Sequence, residues 1–302
     1  MGGKKLAQSI LIHKAVEAGD FIRPAGMDMV EGDQLFSNGH RLRSQDIGLL
    51  AAAGVAKPYV RKKASVAVLS TGDEVIEVER QLEPGLIRDS NGLMVRAALQ
   101  AQGASPLSLG IAQDERESVR ERLDKAVAEG ADLILSSAGV SMGAHDYVRL
   151  VLEEHGQLSF WRVNVRPGKP LAFGNYRGVP FIGLPGNPVS AWITFSLFVQ
   201  PALAVMSGQS LPQGRTVNAT LAHQVSSDGR ESYLRVVLNL DGSNYQARLT
   251  GSQDSAVLSS LVRADGLLII PAGTKQLPAG SNVEVWLMGE FGLVGVSKKS
   301  DG

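Results

Sequence analysis

The stretch LILSSAGVSMGAHD, residues 133–146, decides how the chain is read. An apolar run (Leu133, Ile134, Leu135) leads into a loop of small residues that holds Ser136, Ser137, Gly139, Ser141 and Gly143. YVRLVLEEHG then has the pattern of a helix that starts near His145 and Asp146 and stops at Gly156. A strand, a glycine loop and a helix start in succession expose backbone N–H groups at the positive end of a helix dipole, which suits an anion. The loop is neither GxGxxG nor GxxxxGK[ST]. On its own it is equally an ordinary tight βα turn.

The same alternation extends on both sides of the loop. ASVAVLSTG reads as a buried strand, and DSNGLMVRAALQAQG as a helix capped by Asp89 or Ser90 and ended at Gly103. SPLSLGIAQD is a strand. ERESVRERLDKAVAEG is an amphipathic helix with Val119, Leu123, Ala126 and Val127 on one face. Beyond the loop, QLSFWRVNVRPGKP and GVPFIGLPGNP read as two further strands, and SAWITFSLFVQPALAVMSG as a long apolar helix. This predicts an α/β domain over residues 64–208, a mostly parallel sheet flanked by helices. Ligands of such sheets bind at the carboxyl ends of the strands, where STGDE, GIAQD, SSAGVSMGAHD, RPGKP and LPGNP all fall. Residues 209–302 change to strands separated by Gly, Asp, Asn and Ser turns, which predicts a small carboxyl-terminal β-barrel or sandwich. Residues 1–63 read as a short irregular segment, with a helix N-capped by Ser44 that ends near Gly54 and no core of its own.

Composition narrows the classes. Of 302 residues, 44% are hydrophobic and 20% charged, enough apolar content for a sizeable core. The formal net charge is zero, which argues against a dedicated nucleic-acid binder. Cysteine is absent, so disulfides, thiolate metal sites and a cysteine nucleophile are excluded. The five histidines form no metal-ligand pair. No apolar run is expected to reach spanning length, so no membrane partner is expected. The start has no signal-peptide cleavage region and no myristoylation pattern, so the expected location is cytoplasmic.

Three groups of residues have chemistry to offer. In FWRVNVRPGKP a continuous strand would put Arg162, Asn164 and Arg166 on one face. Lys169 follows a Pro-Gly turn, and three cations leaving one strand end suit a polyanion. In LPGNPVS, Pro185 and Pro188 stiffen a turn, Gly186 permits close backbone approach, and Ser190 lies in the first turn of a helix. The acids Asp73, Glu74, Asp89, Asp114 and Asp146 all fall at the same sheet edge. Clustered carboxylates beside cations suit a hydrated Mg²⁺ on a pyrophosphate. Each could instead cap a helix, Asp89 most readily.

STGDE (70–74), IRDSN (87–91), SSAGVSMGAHD (136–146), RPGKP (166–170) and LPGNPVSA (184–191), in this order and spacing, resemble the molybdopterin molybdenumtransferase family, which includes MoeA and the gephyrin and plant Cnx E domains. GDFIRPAGMD (19–28), DGRESYLRV (228–236) and GSQDSAVLSSL (251–261) match as well. The resemblance implies Mg²⁺-dependent insertion of molybdate into adenylylated molybdopterin, with release of AMP, by a homodimer. It implies catalytic roles for Glu74, Asp114, Asp146 and Lys169, with Asp114 and Asp146 on the metal. Arg166, Lys169, Ser190, Arg230 and Ser255 would place molybdate. Ser137, Gly139, Ser141 and Gly143 would line the pterin phosphate region. Arg23 and Asp28 of the opening segment, with Thr71, Gly72, Asp89, Arg162, Pro185, Gly186, Asn187 and Pro188, would complete the substrate-binding set.

The chain departs from the family pattern in three ways. Ala138 stands where the family has glycine. Arg162 and Arg166 stand where many members have lysine. The longer amino-terminal part of the family, with its lid-like β domain, has no match, so the chain reads as either a fragment or a natural truncation, and another chain could supply the missing wall. A non-catalytic molybdopterin-binding or scaffold module is the alternative function. A nucleotide-binding dehydrogenase is disfavoured by the lack of GxGxxG.

Overall fold

A computed structural model describes residues 15–138, 146–209 and 215–289; the predicted site residues Gly139, Ser141 and Gly143 lie outside them. The chain divides into two units, Met1–His40 and Arg41–Gly302. Residues 15–40 form turns without helix or strand. Asp20 accepts from the Glu17 N–H at 3.1 Å, Asp33 accepts from Val30 N–H at 2.9 Å, and Phe36 stacks on His40. Arg23 and Asp28 are exposed in this unit.

The larger unit begins with helix α1, Ser44–Ala52. Its N-cap is Arg43 rather than Ser44. Asp46 at the third helical position reaches back to accept from the Arg43 N–H at 2.8 Å, and its burial fixes the start one residue earlier. The α/β domain then runs β1 Ser65–Thr71, the short pair β2 Val75–Ile76 and β3 Ile87–Arg88, α2 Ser90–Ala101, β4 Ser105–Ala112, α3 Arg116–Ala128, β5 Leu133–Ser137 and α4 Tyr147–His155. It continues with β6 Gly156–Arg162, β7 Val165–Arg166, β8 Pro170–Tyr176, β9 Val179–Leu184, α5 Pro188–Thr194, a π-helical turn Phe195–Val199 and α6 Gln200–Met206.

The sheet order is β4-β1-β5-β9-β8-β6. The first four strands are parallel, β8 runs antiparallel to β9, and the edge strand β6 runs antiparallel to β8. One apolar layer packs α2 and the α5–α6 helix against Val66, Val68, Leu133 and Leu135. The other packs α3 and α4 against Ala67, Leu69 and Ile134. Alternate residues of β1 and β5 thus feed opposite layers, as a sheet covered on both faces requires.

Three expectations need correction. QLSFWRVNVRPGKP is not one strand. It breaks after Arg162, so the one-face alignment of Arg162, Asn164 and Arg166 does not form. β8 was not anticipated. It hairpins into β9 through Arg177 and Gly178, both at positive φ, with the Asn175 side chain accepting from Gly178 N–H at 2.7 Å. Third, Pro188–Met206 forms 19 helical residues long and apolar enough to cross a membrane by length and composition. Half of that stretch is buried, and Ala191, Phe195, Val199 and Leu203 sit in the protein core.

The last domain contains β10 Thr216–Leu221, β11 Val225–Ser226, β12 Glu231–Asp241, β13 Asn244–Leu249, the single turn α7 Ser259–Val262, β14 Gly266–Ile270, β15 Gln276–Leu277 and β16 Asn282–Leu287. Strands pair in the order β13-β10-β16-β14-β12, and β12 returns to β13, closing a five-stranded barrel. Closure leaves no free edge except where β7 of the α/β domain adds in parallel to β12, Val165 beside Glu231 and Arg166 beside Ser232. Val189 and Ile193 of α5 pack on Tyr233, Leu261 and Leu267 beside that junction.

Candidate functional site

A cleft of about 790 Å³ opens between the carboxyl edge of the α/β sheet and the β12 face of the barrel. Ser70 and Thr71 end β1, and Ser137 ends β5. Parallel strands put these ends on one edge because each must return through a helix to the opposite edge. Ser137 Oγ donates to Ser70 Oγ at 3.3 Å, and Ser70 Oγ donates to Asp89 Oδ2 at 2.7 Å. Asp89 also caps α2, its Oδ1 accepting from Gly92 N–H at 2.8 Å. The capping expectation for Asp89 therefore holds, and the same carboxylate lines the cleft. Gly92 has to be glycine here: a Cβ would lie 2.3 Å from Asp89 Oδ2 and 2.6 Å from Ser70 Oγ.

The LPGNP turn forms the next stretch of wall. Asn91 Nδ2 donates to the Gly186 carbonyl at 2.6 Å, which orients the amide and leaves Oδ1 as a buried acceptor without a protein partner. Asn187 Nδ2 donates to Ser255 Oγ at 2.8 Å, and Val189 N–H donates to the Ser255 carbonyl at 3.1 Å. The turn is thereby tied to the barrel. Ala138 lies against Gly186 at φ +75°, left-handed backbone that a Cβ makes unfavourable.

The opposite wall is cationic. Arg166, Lys169, Arg230 and Arg235 all line the cleft. Gly168 carries the chain between Arg166 and Lys169 at φ +117°, where a Cβ would strike Thr194 Cγ2 at 2.5 Å. Arg230 is already engaged: Nε and Nη2 donate to Asp228 at 3.0 and 2.6 Å, and Nη1 donates to the Val165 carbonyl at 3.0 Å. Hydrogen bonding from Arg230 first, and its charge and that of Arg166 after, draw the Asp228 carboxyl down to about 2. Arg166 stands 3.9 Å from the same carboxylate.

The five residues expected to place molybdate, Arg166, Lys169, Ser190, Arg230 and Ser255, thus line one cleft with Glu74, Thr71, Asp89, Ser137, Pro185, Gly186, Asn187 and Pro188. Arg162, Gly72, Asp114 and Asp146 do not line it. Asp114 lies at the same sheet edge, its N–H donating to Asp73 Oδ1 at 3.0 Å. Asp146 is 4% exposed and caps α4, its Oδ1 accepting from Arg149 N–H at 3.0 Å. Among the described residues no three His, Cys, Asp or Glu side chains gather as a metal cage. Asp114 follows β4 and Asp146 precedes α4.

Sequence reasoning missed Arg88, Asn91, Arg235, Gln253 and Asp254. Arg235 carried a signal, a lone cation inside the apolar run YLRVV.

Three families match in sequence: residues 3–54 the MoeA N-terminal region (domain I and II), 67–205 a probable molybdopterin binding domain, and 218–288 the MoeA C-terminal region (domain IV). Molybdopterin molybdenumtransferase 2 of Mycobacterium tuberculosis is 32% identical over 286 residues, 92% of this chain and 70% of that protein. The chain belongs to the molybdopterin molybdenumtransferase family. The Haemophilus influenzae molybdopterin molybdenumtransferase is 35% identical over 269 residues, 87% of this chain and 66% of that protein. The solved molybdopterin biosynthesis MoeA protein of Pyrococcus horikoshii superposes with a TM-score of 0.74 at 34% identity, over 87% of this chain and 64% of that one. The chain therefore spans about two thirds of the length of such family members.

Proposed function

We propose that this family member takes adenylylated molybdopterin and molybdate as substrates and inserts the metal oxyanion into the pterin dithiolene, releasing AMP. The observation that carries the reading is the meeting, in one cleft, of Arg166, Lys169 and Arg230 with the hydroxyls and backbone turns of the sheet edge. Molybdate is a doubly charged oxyanion, and the other substrate carries a pyrophosphate. Cations and N–H donors held in a walled cleft attract both and hold them in mutual reach without a nucleophilic side chain.

In this reading Lys169, exposed at the cleft and carried by the constrained Gly168, supplies a mobile point charge to the incoming oxyanion. Arg166 and Arg230 fix its orientation. Ser137, Ser70 and the N–H groups at the start of α5 offer neutral donors to the phosphate region. Asp114 and Asp146 would hold Mg²⁺, which offsets negative charge as the phosphoanhydride breaks. A homodimer belongs to the same proposal and is checked by analytical ultracentrifugation.

The deciding experiment incubates the protein with adenylylated molybdopterin, molybdate and Mg²⁺ beside a full-length homologue. AMP release with formation of active cofactor is expected. If the homologue works and this chain releases no AMP, the catalytic reading is lost. Pterin binding without turnover would instead mark a binding module.

A further inference from the structure

An ionised carboxylate accepts hydrogen bonds and donates none, so it fixes the direction of any hydroxyl chain that ends on it. Asp89 Oδ2 accepts from Ser70 Oγ at 2.7 Å, which uses the single O–H of Ser70. Ser70 can then only accept from Ser137, whose Oγ donates across 3.3 Å. Both serines line the cleft. With its own O–H spent on Ser70, Ser137 has only lone pairs left to offer the cleft, and these suit a donor such as water. Gly92 lets α2 come this close to the chain, since a Cβ there would meet Asp89 Oδ2 at 2.3 Å and Ser70 Oγ at 2.6 Å.

Ser70 and Asp89 also line a second cavity, of about 80 Å³, together with Glu77, Arg96, Ser108 and Gly110. The pair therefore touches both cavities. Glu77 and Arg96 share the small cavity with Asp89, and Glu74, Arg88, Arg166 and Lys169 line the cleft with it. Arg96 Nε donates to the Gly92 carbonyl at 3.2 Å, and Arg88 Nε donates to the Val78 carbonyl at 2.9 Å. The donors to Asp89 among the described residues, the Ser70 hydroxyl and the Gly92 N–H, are neutral. A guanidinium partner would instead make a poor proton acceptor of a carboxylate.

We propose that Asp89 is the proton acceptor for a water that attacks the phosphoanhydride, the proton passing through Ser137 and Ser70. The proposal deepens the functional reading and rests on it. The water oxygen bonds to phosphorus, and the bridging P–O bond breaks with its electron pair on the departing phosphate. One water proton moves to Ser137 Oγ, the Ser137 proton moves to Ser70 Oγ, and the Ser70 proton moves to Asp89. The other water proton stays on the phosphate that gained the oxygen, so charge is conserved and Asp89 ends neutral. The transfer reverses the chain, and Ser137 then donates to the new phosphate oxygen. Asp89 regains its charge by losing the proton through the second cavity. Relay bonds of this length tighten when substrate closes a site.

The test follows AMP release by the whole chain from adenylylated molybdopterin, with molybdate and Mg²⁺, in H₂¹⁸O. One labelled phosphate product is expected. Asp89→Asn keeps the oxygen that caps α2 and cannot take the proton. Its kcat should fall at least about 100-fold, the usual worth of a general base, while KM stays within about 3-fold of wild type. The unfolding midpoint should hold, and the acid limb of the kcat/KM profile should disappear. A folded Asp89→Asn with wild-type kcat, or with its acid limb intact, overturns the proposal and leaves the functional reading standing. AMP release with label in neither product does the same. Should Asp89→Asn not fold, Ser70→Ala, which breaks the relay and spares the carboxylate, decides by the same kcat and pH readouts. No AMP release by the wild type would remove the functional reading and the proposal together.

Discussion

The two walls of the cleft are built by different means. The sheet-edge wall consists of backbone turns and short side chains bonded to one another: Ser137 to Ser70, Ser70 to Asp89, Asp89 to Gly92, Asn91 to Gly186. The wall made by β12 and the RPGKP segment presents long cations, of which Arg166 and Arg230 share one carboxylate. The first wall determines shape and the second determines charge. Outside the Asp89–Ser70–Ser137 relay, substitutions on the first should therefore register in stability, and on the second in anion affinity and turnover.

That division can be broken experimentally. The largest effect is expected for Lys169→Ala. Turnover, measured as AMP release, should fall at least about 100-fold with melting temperature held, because an exposed lysine contributes little to folding. A large loss of stability would place Lys169 on the structural side. Next comes Gly92→Ala, where the new methyl meets Asp89 and Ser70. Denaturant unfolding should show a loss of about 2 kcal/mol, with molybdate affinity nearly unchanged. Ala138→Gly should act in the opposite sense, gaining up to about 1 kcal/mol by relieving the left-handed backbone. An unaltered unfolding midpoint would mean the φ of +75° carries no strain.

The smallest effect is expected for Asp228→Asn. Arg230 and Arg166 hold the Asp228 carboxyl at about 2, below its ordinary 3.8. A depressed carboxyl lends stability above its unfolded pKa and loses it as pH falls through the folded one. Wild type should therefore lose more stability than Asp228→Asn between about pH 4 and pH 2. The difference should be slight because both side chains keep contact with solvent, Arg230 27% and Asp228 41% exposed. Parallel pH curves for the two proteins would show that the ion pair adds nothing to folding.

Much of the sheet-edge wall was legible in the sequence because its parts obey local rules. Asp89 before an apolar helical pattern is a cap, Pro188 after a Gly-Asn turn opens a helix, and parallel strands return to one edge. Ala138 was marked by another route, as a departure from the glycine of the family that the chain resembles. The barrel wall was harder to read. Arg162 and Asn164 looked like companions of Arg166 only while the strand was taken as unbroken. The break arises because Val165 and Arg166 leave one sheet to pair with β12, a partner 66 residues downstream. Likewise Arg235 on β12 looks like one more charge in a strand, and only closure of the barrel around Ser260 and residues 252–254 seals it from water. β8 was missed because Gly174 interrupts its pattern, although Asn175 and Gly178 mark the turn that follows.

The two-residue strand β7 has a consequence for the lifetime of the protein. Because the segment between Arg162 and Lys169 is stitched into the barrel, the cleft exists only while the two layers are docked. Closing the seam and filling the cleft then draw on the same equilibrium. An oxyanion at 100 times its dissociation constant would add about 2.7 kcal/mol to the docked form by mass action. Under the proposed function, a bound oxyanion would thus make the seam open less often.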